Sequence, residues 1–414
     1  MSLPSTAATE PDSSRKGWIV AGALFLMLGI VITGRNSLGL MMPFWKQDLG
    51  WSYGFVSTAG AVMLTVMAVV APAGGVLLDR FGARAVYATG MTLIGVAFIA
   101  CSFMTEPWQL IALFSVLGGM GFGVISPALV SATVAGYFQT RVGLATSIAG
   151  SGSTGGQLAL MPLLGLMVVS FTWRPSFLVL GIAVLATALV VQFLIRDTSG
   201  RGQAGRGRVG GGLRPNLRHL AHDRTFWLLA GGFFICGFTT AGVIKIHLIP
   251  YAVACGFPPL ESATAYGVLS FFSMVGMISY GYLADRVNRP LLLASIYFMR
   301  ALTFILLMQI AGSQTALFTF AILFGLFDYA TFPVLASLVA SHIGRHIMGL
   351  TMGLIFAGHS LGGAAGSFMG GYMFDLYARY DWVWIVSVAL ASLAALMSAM
   401  IIETRPGATA PAPA

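Results

Sequence analysis

A few ionisable residues interrupt long apolar stretches of this sequence, and they are the groups able to do chemistry. Arg300 and Asp328 fall inside two consecutive hydrophobic runs that must cross in opposite directions. At about 1.5 Å per residue, each lies roughly 16–18 Å from the same end of its run, so opposite charges reach one depth. A charge at the centre of a membrane span costs at least about 2.5–3.5 kcal/mol, so each needs a partner or a task. Two readings stand side by side. Arg300 and Asp328 form a neutralising buried ion pair, or Asp328 carries protons while Arg300 reaches a solute. Tyr329 and Pro333 sit beside Asp328 on the same run.

A second group of cations lies elsewhere. Arg35 and Asn36 come late in the first apolar run, and Lys245 and His247 late in the seventh. Trp18 and Arg35 are 17 positions apart, and Trp227 and Lys245 are 18. Two fixed cations at one level attract and orient an anion, with Arg35 as the leading carboxylate ligand. The plainer reading is that these long side chains reach toward external headgroups. His359 lies in the eleventh run amid Gly358, Gly362 and Gly363. It is either a hydrogen-bonded core residue or a cavity residue that binds or titrates. Gln157, in the fifth run, is a candidate of the same kind. The three cysteines, Cys101, Cys236 and Cys255, are scattered and read as packing residues, without metal or disulfide spacing. With no phosphate loop, nucleophile motif or metal cluster, the expectation is no enzyme, no cofactor and no metal.

The elements that must carry these residues follow from composition. The chain of 414 residues is 57% hydrophobic and 8% charged, with mean hydropathy +0.87. Soluble domains carry about 25% charged residues, so this chain has too little polar surface to dissolve. Apolar runs of the length needed to cross about 30 Å of hydrocarbon fall at 17–44, 54–77, 85–104, 108–133, 142–168 and 175–195, then at 225–248, 262–284, 290–311, 315–340, 347–373 and 382–402. The expected organisation is an N-terminal six-helix bundle (1–195), a basic Gly-rich linker (196–224), a C-terminal six-helix bundle (225–404) and an irregular tail (405–414). The first run has two basic residues before it but is too long for a signal peptide, so it reads as a retained span.

The net charge of +9 sits mostly in short segments between spans, the placement of topology signals and not of a nucleic-acid-binding face. Arg15, Lys16, Arg80, Arg84, Arg141, the linker arginines, Arg286, Arg289, Arg345 and Arg405 then share one side, against Lys46, Arg174 and Arg379 on the other. Both termini are expected in the cytoplasm, in a multi-pass protein of the inner (plasma) membrane. The halves also repeat. Gly75 and Gly281, Asp79 and Asp285, Arg80 and Arg286, Pro127 and Pro333, and Gly143 and Gly349 are each 206 positions apart. Duplicated halves related by an axis along the membrane normal place a solute site between them.

The segment Gly75-Val76-Leu77-Leu78-Asp79-Arg80-Phe81-Gly82-Ala83-Arg84 and its echo Gly281-Tyr282-Leu283-Ala284-Asp285-Arg286 resemble the cytoplasmic signature loop of the major facilitator superfamily. That resemblance implies the major facilitator fold, all-α with twelve transmembrane helices in two pseudo-symmetric bundles. It gives Asp79, Arg80, Arg84, Asp285 and Arg286 structural or gating roles. Tyr137 to Ala145, the Trp173-Arg174-Pro175 entry to the sixth span and Gly17-Trp18 are similar to motifs of the monocarboxylate transporter family. Two departures stand out. Arg15 and Lys16 replace that family's acidic residue and glycine, and Ser273 and Met277 stand where its eighth span carries an Asp/Arg pair. The reading is a monomeric secondary carrier of small organic anions, most simply monocarboxylates, working by alternating access and driven either by coupling to protons or by solute exchange. The alternative on the same fold is an exporter of bulkier or neutral compounds. Arg35, Asn36, Lys245, His247, Tyr329, His359 and Gln157 are the candidate solute ligands.

Overall fold

Length and apolarity decide most of the architecture. The computed structural model describes residues 11–138, 142–195, 213–344 and 347–403, and these form helices and turns with no strand among them. Eleven helices among the described residues are long and apolar enough to cross a membrane. They are the first span Arg15–Leu49, second Tyr53–Ala71, third Arg80–Cys101, fourth Pro107–Ser131, fifth Val142–Phe171, sixth Trp173–Leu194, seventh Arg224–Ala254, eighth Pro259–Ala284, ninth Arg289–Leu307, tenth Gln314–His342 and twelfth Asp381–Ala399. Met348–Tyr377 is the eleventh in order; its eight glycines, His359 and Asp375 make it less apolar than the others. Side-chain caps start several of them. Ser52 accepts from Phe55 N, Asp223 from Phe226 N, Asn288 from Leu291 N and Ser313 from Ala316 N, each relieving an orphan N–H.

The repeat seen in the sequence has a structural counterpart. The fourth span breaks at Ile125–Ser126, just before Pro127, and the tenth at Tyr329–Ala330, just before Pro333. Proline lacks the N–H that the carbonyl four residues earlier requires, and its ring crowds that carbonyl. The fifth span crosses the first where Gly152 meets the Phe25 backbone and Gly156 meets Gly29. The eleventh crosses the seventh in the same way, Gly362 against the Phe234 backbone and Gly237 against the His359 carbonyl. Backbones approach this closely only where no Cβ stands between them.

The basic loops lie at the surface of one side, called the basic side below. Gly82, with φ 78°, kinks the continuous helix that joins the second and third spans, a conformation suited to glycine. Arg80 covers the Phe81 ring, and Arg84 Nε lies 3.0 Å from the Gln192 amide oxygen in one orientation of that group. Arg286 stacks 3.8 Å from the Tyr282 ring centroid, and Asp285 is exposed at the end of the eighth span. The side chain of Asp79, together with Arg141, Arg345, Arg405 and the linker residues 196–212, lies outside the described residues. Where a structureless linker was expected, residues Leu213–His222 form a helix whose Leu220 is buried. Its apolar positions fall on one face, which gives this short segment something to bury.

The halves are clamped together on the opposite side. There Asp375 accepts from Gly54 N at 2.9 Å, Ser367 Oγ donates to Ser57 O at 2.7 Å, and Tyr53 stacks on Phe374 at 4.7 Å. Lys46 covers the Tyr53 ring, and Gly39 meets the Ile246 backbone. Toward the basic side, Gly143, Gly349 and Gly353 face open space. Asp375 caps the start of the second span from the other half, an arrangement worth about 1 kcal/mol. Asp375→Ala should therefore shift the population open on the clamped side about fivefold. Ser57→Cys, a reporter buried in the clamp, should then label that much faster with an impermeant maleimide; an unchanged rate would mean that Asp375 does not hold the clamp.

Candidate functional site

The break in the tenth span creates the site. With the helix interrupted after Asp328, the carbonyls of Phe327 and Asp328 lack their helical partners. Arg300 fills the gap: its Nη2 donates to Phe327 O at 2.6 Å and to Asp328 O at 2.9 Å. The negative end of a helix dipole thus faces a fully buried guanidinium. Matched depth does bring Arg300 to Asp328, but to its main chain. The direct Arg300–Asp328 carboxylate pair expected from the sequence does not form. The reason is that a second cation already occupies that carboxylate.

That cation is Lys245. Its Nζ lies 2.6 Å from Asp328 Oδ2, which also accepts from Ser273 Oγ at 3.1 Å. The seventh span adopts a wider π-helical course over Gly237–Ile244, immediately before Lys245. Such turns absorb extra residues and occur often at functional sites. This one accommodates the 18-residue spacing against 17 in the first span. Lys245 Nζ stands 5.3 Å from the Tyr266 ring centroid and 5.5 Å from that of Tyr329, so an aromatic wall flanks the ammonium on two sides. Tyr266 is fully buried, and its hydroxyl has no hydrogen-bond partner. Arg35, Lys245 and Asp328 all lie within electrostatic range of it. Sequence reasoning passed over Tyr266, because an aromatic residue in an apolar run reads as filling until its neighbours are known.

The remaining candidates divide. Arg35 is half-exposed and its Nε reaches Asn36 Oδ1 at 3.4 Å. Asn36 donates to Gln157 Oε1 at 2.9 Å, and Gln157 donates to Ser153 O at 2.6 Å, a chain that ties the first span to the fifth. His247 does not face this group. It is fully buried, with Nε2 3.1 Å from Ser367 O and Nδ1 3.3 Å from the Tyr380 hydroxyl, under Gly370 in the clamp. His359 is half-buried beside the Phe233 ring at 4.6 Å. Cys236, read above as a packing residue, instead accepts from Arg300 Nη1 at 3.1 Å and contacts the hydroxyls of Thr240 and Thr331. A second polar group, Arg300 with Cys236, Thr240 and Thr331, therefore adjoins the Lys245–Asp328 pair. Asp328 thus meets two cations, Lys245 at its carboxylate and Arg300 at its main-chain carbonyl, while Arg35 lies within electrostatic range of the neighbouring Tyr266. Among the described residues, no group of three His, Cys, Asp or Glu side chains could hold a metal ion.

The comparisons with known proteins agree with this architecture. A family model described as Major Facilitator Superfamily matches residues 24–367 and 280–414. The chain is 25% identical over 390 residues to an uncharacterised MFS-type transporter, YcxA, of Bacillus subtilis, covering 93% of this chain and 95% of that one. It is 27% identical to monocarboxylate transporter 3 of Rattus norvegicus, covering 96% and 82%, and 25% identical to monocarboxylate transporter 13 of Bos taurus, covering 92% and 88%. Among solved structures it resembles in fold the nucleoside transporter NupG, at TM-score 0.76 and 12% identity over 92% of this chain and 98% of that one. A bacterial homologue of the human lysosomal transporter Spinster, in an inward-facing unoccupied form, gives TM-score 0.72 and 15% identity, covering 94% and 97%. The chain belongs to the major facilitator superfamily: a multi-pass membrane transporter of twelve helices in two pseudo-symmetric bundles, and not an enzyme.

Proposed function

We propose that this transporter carries small organic anions, most simply monocarboxylates, together with protons. The observation that carries the reading is the charge balance around Asp328. Lys245 pairs with the Asp328 carboxylate, Arg300 donates to the Asp328 main-chain carbonyl, and Arg35, partly exposed, makes no ion pair among the described residues. A net positive, poorly hydrated site attracts an anion and rejects a cation. The similarity to monocarboxylate transporters supports the same class. Ser273 stands where the resemblance expects an aspartate, and its hydroxyl contacts Asp328. The carboxylate in this chain thus comes from the tenth span, and its cation from the seventh.

The mechanism follows from the pair. Arg35 takes the entering carboxylate by charge-assisted hydrogen bonds. The bound anion then competes with Asp328 for Lys245. A carboxylate released from its partner inside the membrane is costly as an anion, so Asp328 takes up a proton. Anion and proton are then occluded together, and the two halves rock about the site. On the return, the empty site re-forms the Lys245–Asp328 pair, which keeps the unloaded carrier neutral at that point. We assign the basic side to the cytoplasm of a plasma membrane, because the arginine-rich loops lie there. Among the other candidates, Tyr329 and Tyr266 wall the site. His247 acts in the clamp.

Two outcomes test the proposal. Arg35→Ala should weaken saturable binding of small monocarboxylates by more than about tenfold, the loss of roughly 2–5 kcal/mol when one partner of a charge-assisted contact is removed. Equilibrium binding to the purified, monodisperse protein measures it, and wild-type affinity would take Arg35 out of the site. Binding of neutral organic compounds unaffected by Arg35→Ala would favour the exporter reading.

The second test is a cycle on the ion pair. Asp328→Asn or Lys245→Gln alone should destabilise the protein by about 3–5 kcal/mol, since each strands a buried partner. The double variant should recover most of that stability. It should still bind anion through Arg35, yet fail to accumulate it when a proton gradient is imposed on proteoliposomes. Accumulation at the wild-type level by the double variant, or accumulation indifferent to a protonophore in the wild type, would rule out Asp328 as the coupling group.

A further inference from the structure

A groove on the outer wall of the C-terminal half lies away from the transport site. It is lined by Leu217, Leu220 and Ala221 of the Leu213–His222 helix, by Trp227 and Phe234 of the seventh span, and by Gly358 of the eleventh, among others. Its volume is about 570 Å³ and its lining is almost wholly apolar, a size that ordinarily receives a ligand. From Arg224 to Phe234 is ten residues, or about 15 Å along a helix. That is the hydrocarbon depth of one leaflet. Trp227 and Leu361 are exposed at the rim, at 58% and 46%.

The helix that floors the groove has a second, charged face. Arg218, His219 and His222 are exposed on it, and Arg224 is exposed just beyond its end, two residues before Phe226 of the groove lining. The acidic residue nearby, Asp223, already accepts from Phe226 N at 2.9 Å, as the cap of the seventh span. No other Asp or Glu occurs between residues 213 and 260. A short helix with apolar residues toward the groove and cations away from it lies in the plane of a membrane interface. Cations at that level attract anionic headgroups.

We infer that this groove is a binding site for an anionic glycerophospholipid of the basic-side leaflet. One acyl chain lies along the seventh and eleventh spans, and the phosphate rests against Arg218 and Arg224. The site is independent of the solute assigned above. An occupant here bears directly on the eleventh span, which also forms part of the clamp, so lipid binding is placed to influence the rocking of the two halves.

Native mass spectrometry of the purified full-length protein, exchanged with dioleoyl phosphatidylglycerol or dioleoyl phosphatidylcholine, tests this. Phosphatidylglycerol should be retained in preference to phosphatidylcholine. Arg218→Gln and Arg224→Gln should each lower its retention about fivefold, the factor expected for one interfacial cation. A Cβ at Gly358 meets nothing within 4 Å, so Gly358→Leu fills the groove without a clash at that atom and should displace the lipid while both arginines remain. Glycerol phosphate, which has the headgroup charge and no chain, should not compete at millimolar concentration. Equal retention of the two lipids, wild-type retention in the double arginine variant, or full displacement by glycerol phosphate would each overturn the proposal. Should Gly358→Leu not fold, the arginine variants and the glycerol phosphate competition still decide it.

Discussion

A charge in hydrocarbon must be paired, and the arrangement of the C-terminal half follows from that requirement. Lys245 and Asp328 satisfy each other at 2.6 Å, both buried. Arg300 has no carboxylate within ion-pair distance among the described residues, and it finds its negative charge in the open end of a broken helix. The break is therefore necessary to the chemistry. A continuous tenth span would consume the Phe327 and Asp328 carbonyls in its own hydrogen bonds and leave the guanidinium with Cys236 as its remaining hydrogen-bond acceptor.

The break also shows how a duplicated fold can diverge. Pro127 and Pro333 interrupt the fourth and tenth spans at equivalent places. In the N-terminal half no arginine corresponds to Arg300, and Ser126 caps the resumed helix through Leu129 N instead. The geometry was inherited by both halves, while the charges were placed in one. A similar contrast separates the first and seventh spans. Arg35 leans on the Asn36–Gln157–Ser153 chain and has no ion pair among the described residues, whereas Lys245 is neutralised directly.

Rocking requires a clamp strong enough to seal one face and weak enough to part. The contacts on the clamped side fit that need. Single hydrogen bonds such as Asp375 to Gly54 and Ser367 to Ser57, a stacked aromatic pair and close glycine crossings contribute modestly one by one. His247 belongs to this layer, tying the seventh span to Ser367 and Tyr380. Lys245 lies two residues from it on the same span.

The sequence by itself determined the membrane class, the spans and the duplication. Each rests on local quantities: apolar run length, charge density and the constant offset of 206. It also singled out the charges inside the spans, since any charge at membrane depth is conspicuous. Partnership was decided only by the tertiary structure. Matched depth on adjacent helices pointed to Arg300 and Asp328, but depth fixes one coordinate, and rotation about the helix axis fixes the other. The π-helical course before Lys245 and the break after Asp328 both alter that rotation, and neither is legible from spacing alone. The same holds for His247, whose level matched Arg35 but whose ring points into the clamp, and for Tyr266 and Cys236, whose roles depend wholly on their neighbours. The helix at Leu213–His222 escaped notice because ten residues beside a Gly-rich stretch look irregular until an apolar groove gives one face something to bury.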